Sequence, residues 1–376
     1  MAGIYIHIPF CKQRCSYCAF YSSTLFNIRE KYIDALCKEI SMRKNYIPQE
    51  GIKTIYLGGG TPSTLSIEDL EKIFNAIYKH YTIAENHEIT IECNPDDLTP
   101  EYLTQLKQLP INRISMGIQS LNDTQLKHLG RRHNAEKAIT AVSNARKAGF
   151  SNISIDLMFA LPGSTIQEWN ETLEQAIRLQ PEHISAYNLM YEEGTAMHRA
   201  LQRGDFRELS EEENVEQFQA LIKMLRNAGY RHYEISNFAQ PGYESRHNSC
   251  YWNDTPYIGC GAAAHSYNGR SREWNVSDIK EYIEGIEKGK RNFEIEYLSE
   301  EERYNDAILT RLRTSDGIPV EWIKENFNNA LYEYMMQNAE KQIKNGLLKE
   351  NNKNLSLTEK GIFVSDAVIR ELIYID

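Results

Sequence analysis

The 376 residues carry 41% hydrophobic and 25% charged side chains, the profile of a water-soluble globular chain long enough for two or three domains. A net charge of −10 argues against a nucleic-acid partner for the chain as a whole. Seven cysteines, an odd number with three in one loop, argue against a disulfide framework; with no apolar run of 18 residues, the expected location is cytoplasmic.

The first element is an apolar run at 4–8 that reads as a buried strand. Cys11, Cys15 and Cys18 follow it at once, in a C-x3-C-x2-C spacing with Tyr17 between the last two. Thiolates this close in one loop can converge on one metal centre. Three of them bind three corners of an iron–sulfur cube and leave the fourth iron to a non-protein ligand. A structural zinc site wants four closed ligands, and no fourth Cys or His stands at a usual spacing. The bland alternative is three structural thiols grouped by accident.

The triplet resembles the cluster loop of the radical S-adenosylmethionine (radical SAM) superfamily. That resemblance implies a [4Fe–4S] cluster on Cys11, Cys15 and Cys18, with SAM chelating the open iron through its amino and carboxylate groups. It also implies an electron donor, because one electron from the cluster splits the sulfonium into methionine and a 5′-deoxyadenosyl radical.

From 1 to 195, expected strands at 4–8, 54–57, 88–92, 113–116, 153–157 and 183–189 alternate with helical patterns at 28–43, 67–78, 99–108, 123–129, 135–148 and 165–178. The fold class is α/β, a parallel sheet with helices outside. Alternation alone fits an open doubly wound sheet equally well. The resemblance implies a partial (β/α)6 TIM-like barrel as the radical SAM core.

Catalytic and binding residues of such folds gather at strand C-termini. Gly58-Gly59-Gly60-Thr61-Pro62 follows the second strand, and Glu92, Gln119, Arg131 and Asp156 stand near the ends of later ones. Singly, each reads as a turn or a satisfied strand-end residue. Together they are similar to the SAM contacts of the coproporphyrinogen dehydrogenase branch of the superfamily. There Tyr5 and Tyr17 flank the cofactor, Gly59, Gly60 and Thr61 contact it, and Glu92, Gln119, Arg131 and Asp156 complete its shell, with Met190 a further carry-over. The residue types suit that role, because ribose hydroxyls want carboxylates and the SAM carboxylate wants a guanidinium. Arg131 is its natural partner, and Arg132 could serve after a one-residue shift.

The pattern breaks near 192–205, and an α+β extension is expected over 196–296, with a helix at 210–226 and a strand at 232–236. Two irregular segments, His247-Asn248-Ser249-Cys250-Tyr251-Trp252 and 257–266, combine histidines, aromatics and small residues. They suit a pocket for a flat aromatic ligand, or, equally, satisfied core positions. HNSCYW resembles the HN-x-x-YW motif of the HemW family, radical SAM proteins described as haem chaperones and long taken for oxygen-independent coproporphyrinogen oxidases. GCGAAAHSY resembles that family's G-x-G-x-GAHS segment, with Ala263 where Gly is usual. The resemblance implies haem and a haem-acceptor protein as partners, with any membrane contact peripheral and made through the acceptor. His247 is the expected axial ligand, Cys250 and His265 the alternatives, and Trp252 the side chain to pack on the porphyrin.

Residues 297–376 read as three helices at 300–313, 320–326 and 331–345 with a hairpin at 347–357, followed by 358–374, a winged-helix-like module. Its 10 Lys and Arg against 14 Asp and Glu argue against DNA binding. It is expected to cover the barrel mouth or meet a partner. Three functions stay in view: a haem chaperone, an oxygen-independent coproporphyrinogen III dehydrogenase, and a radical SAM enzyme with another substrate. The dehydrogenase branch has an extra Cys two positions after the third cluster Cys and an N-terminal extension; here the position holds Phe20, and only ten residues precede Cys11. Both differences favour the chaperone.

Overall fold

Strict apolar–polar alternation along six strands sets the architecture. A computed structural model describes residues 2–47 and 51–375. It runs β1 (Ala2–Ile8), α1 (Arg29–Met42), β2 (Ile52–Gly59), α2 (Ile67–His80), β3 (Ile83–Cys93), α3 (Pro100–Leu106), β4 (Arg113–Gln119), α4 (Asp123–His128), α5 (Ala135–Lys147), β5 (Ile153–Phe159), α6 (Ile166–Arg178) and β6 (His183–Asn188). These strands pair in parallel in the order β1-β2-β3-β4-β5-β6. A sequential order contains no reversal point, so the doubly wound alternative falls and the partial barrel stands. Ile4, Ile6 and Ile8, Ile55 and Leu57, Ile89 and Ile91 all lie in one buried core with the helices. Capping boxes at Ser66/Asp69 and Thr165/Glu168 start α2 and α6.

The extension does not stand apart from this sheet. α7 (Ala196–Gln202) and α8 (Glu211–Asn227) lead to β7 (Arg231–Glu234) and β8 (Asn237–Ala239), which join the β6 edge. After α9 (Arg246–Trp252), β9 (Tyr257–Cys260) pairs parallel with β1, Tyr5 opposite Gly259. β10 (His265–Tyr267), β11 (Ser271–Asn275), α10 (Ile279–Glu287) and β12 (Phe293–Tyr297) complete a sheet of twelve strands. A buried carboxylate ties this flank to α1. Glu39, 0% exposed, accepts from Gly261 N–H (2.8 Å), Asn275 Nδ2 (2.7 Å) and Tyr282 OH (2.7 Å). Arg43 beside it donates to Gly259 O (2.6 Å) and Glu273 (3.1 Å).

α9 closes the N-terminal end of the barrel. Its start is capped by the Ser245 side chain, and Glu88 at the beginning of the inner β3 segment accepts from the backbone N–H groups of Arg246 (3.1 Å) and His247 (3.0 Å). A carboxylate at a helix N-terminus satisfies donors the helix cannot and complements its dipole.

The C-terminal module comprises α11 (Glu300–Arg311), β13 (Ile318–Pro319), α12 (Val320–Asn326), α13 (Asn329–Lys344), β14 (Leu348–Asn351), β15 (Asn354–Leu357), α14 (Glu359–Ile362) and α15 (Ser365–Leu372). It has its own core around Tyr304, Leu331, Met335 and Leu355, and a small sheet in the order β13-β15-β14. It meets α9 and β7: Arg311 donates to Asp254 (3.0 Å), Arg313 lies over Trp252 (5.9 Å), and Ser315 N–H donates to Tyr233 O (2.9 Å). The expectation that it covers the mouth is corrected, because these contacts lie at the closed end. Among the described residues no helix is long and apolar enough to cross a membrane.

Candidate functional site

With the apolar residues turned to the helices, the opposite face of the same strands is polar. Tyr5 and His7, Thr54 and Tyr56, Thr90 and Glu92, Arg113 and Ser115, Ser154 and Asp156, and His183 and Ser185 alternate with the core residues. The interior of a closed TIM barrel is packed with branched aliphatics. A polar interior costs free energy unless its groups are partnered, so this face depends on internal hydrogen bonds.

Glu92 organises the upper interior. It accepts from Tyr56 OH (2.8 Å) and Gly59 N–H (3.0 Å), and burial pushes its carboxyl up to about 7. Asp156, pushed up to about 6 chiefly by burial, accepts from Ser115 Oγ (3.4 Å). Tyr5 OH lies 3.1 Å from His7 Nδ1. Gly59 has φ +106°, and a Cβ there would come within 2.5 Å of the His7 ring; one on Gly60 would meet Ile8 O at 2.8 Å. Only glycines admit this close approach of loop to strand. Gly60 N–H and Thr61 N–H donate to Ile8 O and Phe10 O (both 2.8 Å), which fixes the glycine loop against the cysteine loop. Gln119 sits at φ +70° where β4 and β5 lose register, an unusual backbone for a non-glycine residue and a frequent mark of a site.

The cysteine loop is anchored from outside by Ser16 N–H to Leu129 O (3.1 Å) and by Gln13 Nε2 to Gly130 O (2.9 Å). Cys11 is buried and Cys15 and Cys18 are half-buried, all as free thiols. Burial pushes the Cys11 and Cys18 thiols up. Cys11 Sγ lies 3.4 Å from Thr61 Oγ1, and Arg131 Nη1 donates to Cys15 Sγ (3.1 Å). Arg131 Nη2 donates to Asn94 Oδ1 (2.6 Å) and Gly117 O (2.5 Å), whereas Arg132 turns away to Asp97 (3.1 Å). Tyr17 packs beside Leu129, Met158 and Met197. Met190, just past β6, is 66% exposed at the rim. Among the described residues no three His, Cys, Asp or Glu side chains close on a point as they would round one ion. A four-iron cube asks less of them, since it takes each thiolate at a different iron, and three unbonded thiols in one loop beside the polar strand ends fit that group.

Residues 5–176 match the Radical SAM superfamily and residues 298–364 the HemN C-terminal domain. The heme chaperone HemW of Lactococcus lactis subsp. lactis (strain IL1403) is 34% identical over 373 residues, 99% of this chain and 97% of the relative. That of Bacillus subtilis (strain 168) is 34% identical over 371 residues, 98% of each. The chain belongs to the HemW family of radical SAM proteins. Coproporphyrinogen III oxidase (HemN) from Escherichia coli superposes with a TM-score of 0.87 over 99% of this chain and 90% of that one; at 22% identity this shows the shared fold.

The segment that most sharply resembles HemW, HNSCYW, is the floor helix α9. His247 is 1% exposed, with Nδ1 2.9 Å from Thr54 Oγ1 and Nε2 2.9 Å from Tyr251 OH. Its ring stacks on Tyr56 at 5.1 Å, and burial lowers its pKa to about 3. Both ring nitrogens are engaged by hydroxyl groups at the closed end, away from the cysteine loop. Cys250 is buried too, its thiol donating to Arg246 O (3.2 Å). Tyr56, His7 and Arg113, the last 1% exposed, belong to the interior yet escaped the motif-based reading. The signal that finds them is the second residue of each alternating strand.

Proposed function

We propose that this chain is a haem chaperone that carries a [4Fe–4S] cluster on Cys11, Cys15 and Cys18, binds SAM in the polar barrel interior, and passes haem to an acceptor protein. The observation that carries the reading is the convergence of three free thiols, Arg131 and the Gly59–Glu92 bond at the open end of a polar-lined barrel. When bound, the cluster would supply one electron to SAM and an open iron to SAM's amino and carboxylate groups, which requires an electron donor. The chain's residues do the positioning. Arg131 sets a fixed positive charge beside Cys15, suited to a carboxylate at that iron. Gly59 and Gly60 keep side chains out of the loop, Gln119 and Thr61 offer further polar contacts, and Glu92 and Asp156 present acceptors for the amino N–H groups and ribose hydroxyls. Tyr5 and Tyr17 flank the cofactor, and α9 closes the barrel from below.

The raised carboxyls make this binding pH-dependent. Glu92 exchanges its proton near 7 in the folded chain against 4.5 ordinarily, so ligand-free stability falls as pH climbs through that interval. The cationic sulfonium, and the N–H donors of the amino group, favour the ionised form, so SAM affinity should rise between about pH 5.5 and 7.5. Calorimetric titration on the cluster-loaded protein checks this, and Glu92→Gln should flatten the profile. A flat wild-type profile would remove Glu92 from the SAM shell.

The chaperone reading is tested against the dehydrogenase by product analysis. Supplied with SAM, a reductant and coproporphyrinogen III, the reconstituted protein should yield no protoporphyrinogen. Phe20, 72% exposed where the dehydrogenase branch has a cysteine, motivates that expectation. Sustained formation of protoporphyrinogen would restore the enzyme.

A further inference from the structure

Four histidines approach the inner face of the sheet, and three are already committed. His7 has Nδ1 3.1 Å from Tyr5 OH and Nε2 3.4 Å from Tyr21 O. His183 is held between Ser154 Oγ and Tyr233 OH, both at 2.8 Å, and His247 between Thr54 and Tyr251. The fourth, His265, is exposed, and neither of its ring nitrogens hydrogen-bonds to any described residue.

His265 opens β10 at the mouth end, directly after the GCGAAA turn in which Ala263 takes φ +60°. A left-handed backbone is strained for a non-glycine residue, the kind of strain retained where a side chain must be aimed. Across the ladder His265 pairs with Trp274, and the imidazole lies over the indole, centroids 5.8 Å and planes 23° apart. Stacking fixes the ring without consuming a nitrogen. Tyr257 and Tyr267 continue the same face, their ring centroids 6.4 Å apart. Burial lowers the His7 pKa, with nearby His265 a lesser contributor, and His7 abuts the 20–25 segment, whose Phe20 and Leu25 are 72% and 52% exposed. The mouth therefore combines an accessible imidazole, a stacked indole and uncovered apolar side chains, the surface a porphyrin with its iron would cover. His128, the other exposed histidine, stands on α4 with no aromatic partner among the described residues.

We propose that His265 is an axial ligand of the haem iron and that Trp274 holds its ring in position, an assignment that rests on the haem-carrying reading above. A neutral imidazole with a free lone pair is a common haem ligand, and a partner that orients it sharpens the site.

The test is an anaerobic haem titration of the cluster-loaded full chain, followed by the Soret band, with the wild type, His265→Ala, His265→Met and His247→Gln in parallel. His265→Ala should weaken haem binding about tenfold or more, equal to about 1.4 kcal/mol, and shift the Soret band. His265→Met, which keeps the bulk, should bind with a different spectrum, and free imidazole added to His265→Gly should restore the wild-type band. His247→Gln should keep the wild-type spectrum. Unchanged affinity and spectrum in His265→Ala and His265→Met, with the wild type binding haem, would overturn the ligand assignment and leave the chaperone reading standing. A wild type that holds no haem above the level of an unrelated protein would overturn both.

Discussion

Replacing any one of Cys11, Cys15 or Cys18 by Ala should abolish the [4Fe–4S] signal after anaerobic reconstitution. One missing thiolate leaves an iron with no protein ligand, and the chain's other four cysteines lie outside this loop. Cys93 and Cys260 are buried in the core under the helices, Cys250 lies in the floor helix, and Cys37 lies on α1 with its thiol against Lys72 O at 3.6 Å. Alanine at each of those four should leave iron and sulfide content unchanged. Iron analysis, the visible charge-transfer absorption and electron paramagnetic resonance of the reduced protein read the outcome. A full cluster in the Cys11/Cys15/Cys18 triple Ala variant would end the assignment.

Removal of the Glu39 carboxylate should destabilise the fold by about 3–5 kcal/mol, the range for breaking a buried ionic network on one side. Glu39→Ala leaves Gly261 N–H, Asn275 Nδ2 and Tyr282 OH without their acceptor and takes a charge from beside Arg43. These groups join α1 to the GCGAAA turn and β11, so the loss falls on the flank that carries His265. Glu39→Gln keeps an acceptor oxygen and should cost less, about 1–3 kcal/mol. Urea unfolding followed by circular dichroism measures both. A change below about 1 kcal/mol for Glu39→Ala would mean that the flank is held by its apolar packing alone.

The radical SAM core was legible because each of its strands is an alternating run followed by an amphipathic helix, and because three cysteines in one loop have few other uses. The choice between barrel and doubly wound sheet was not legible, since strand order is a long-range property that periodicity does not carry. Strands β9 to β11 escape a sequence reading for a different reason: Tyr257–Cys260 and His265–Tyr267 are short and rich in small residues, and they become strands by pairing, Tyr257–Cys260 on β1 and His265–Tyr267 between β9 and β11. The local structure of HNSCYW is not legible from its composition. A histidine beside aromatics reads as a ligand site, but Ser245 and Glu88 build a helix start around it and turn His247 to Thr54. The interior was present in the sequence all along, in the alternate residues of YIHI, TIYL, EITIE and SIDL.

Transfer of haem decides whether the chain is a chaperone. The reconstituted chain, loaded with one equivalent of haem and freed of excess, is mixed with an apo haem protein whose own spectrum reports uptake. A stable Soret band is expected on the chain before mixing, with its replacement by that of the acceptor afterwards. A chain that never retains haem through desalting, with cluster and SAM both bound, would contradict the chaperone reading.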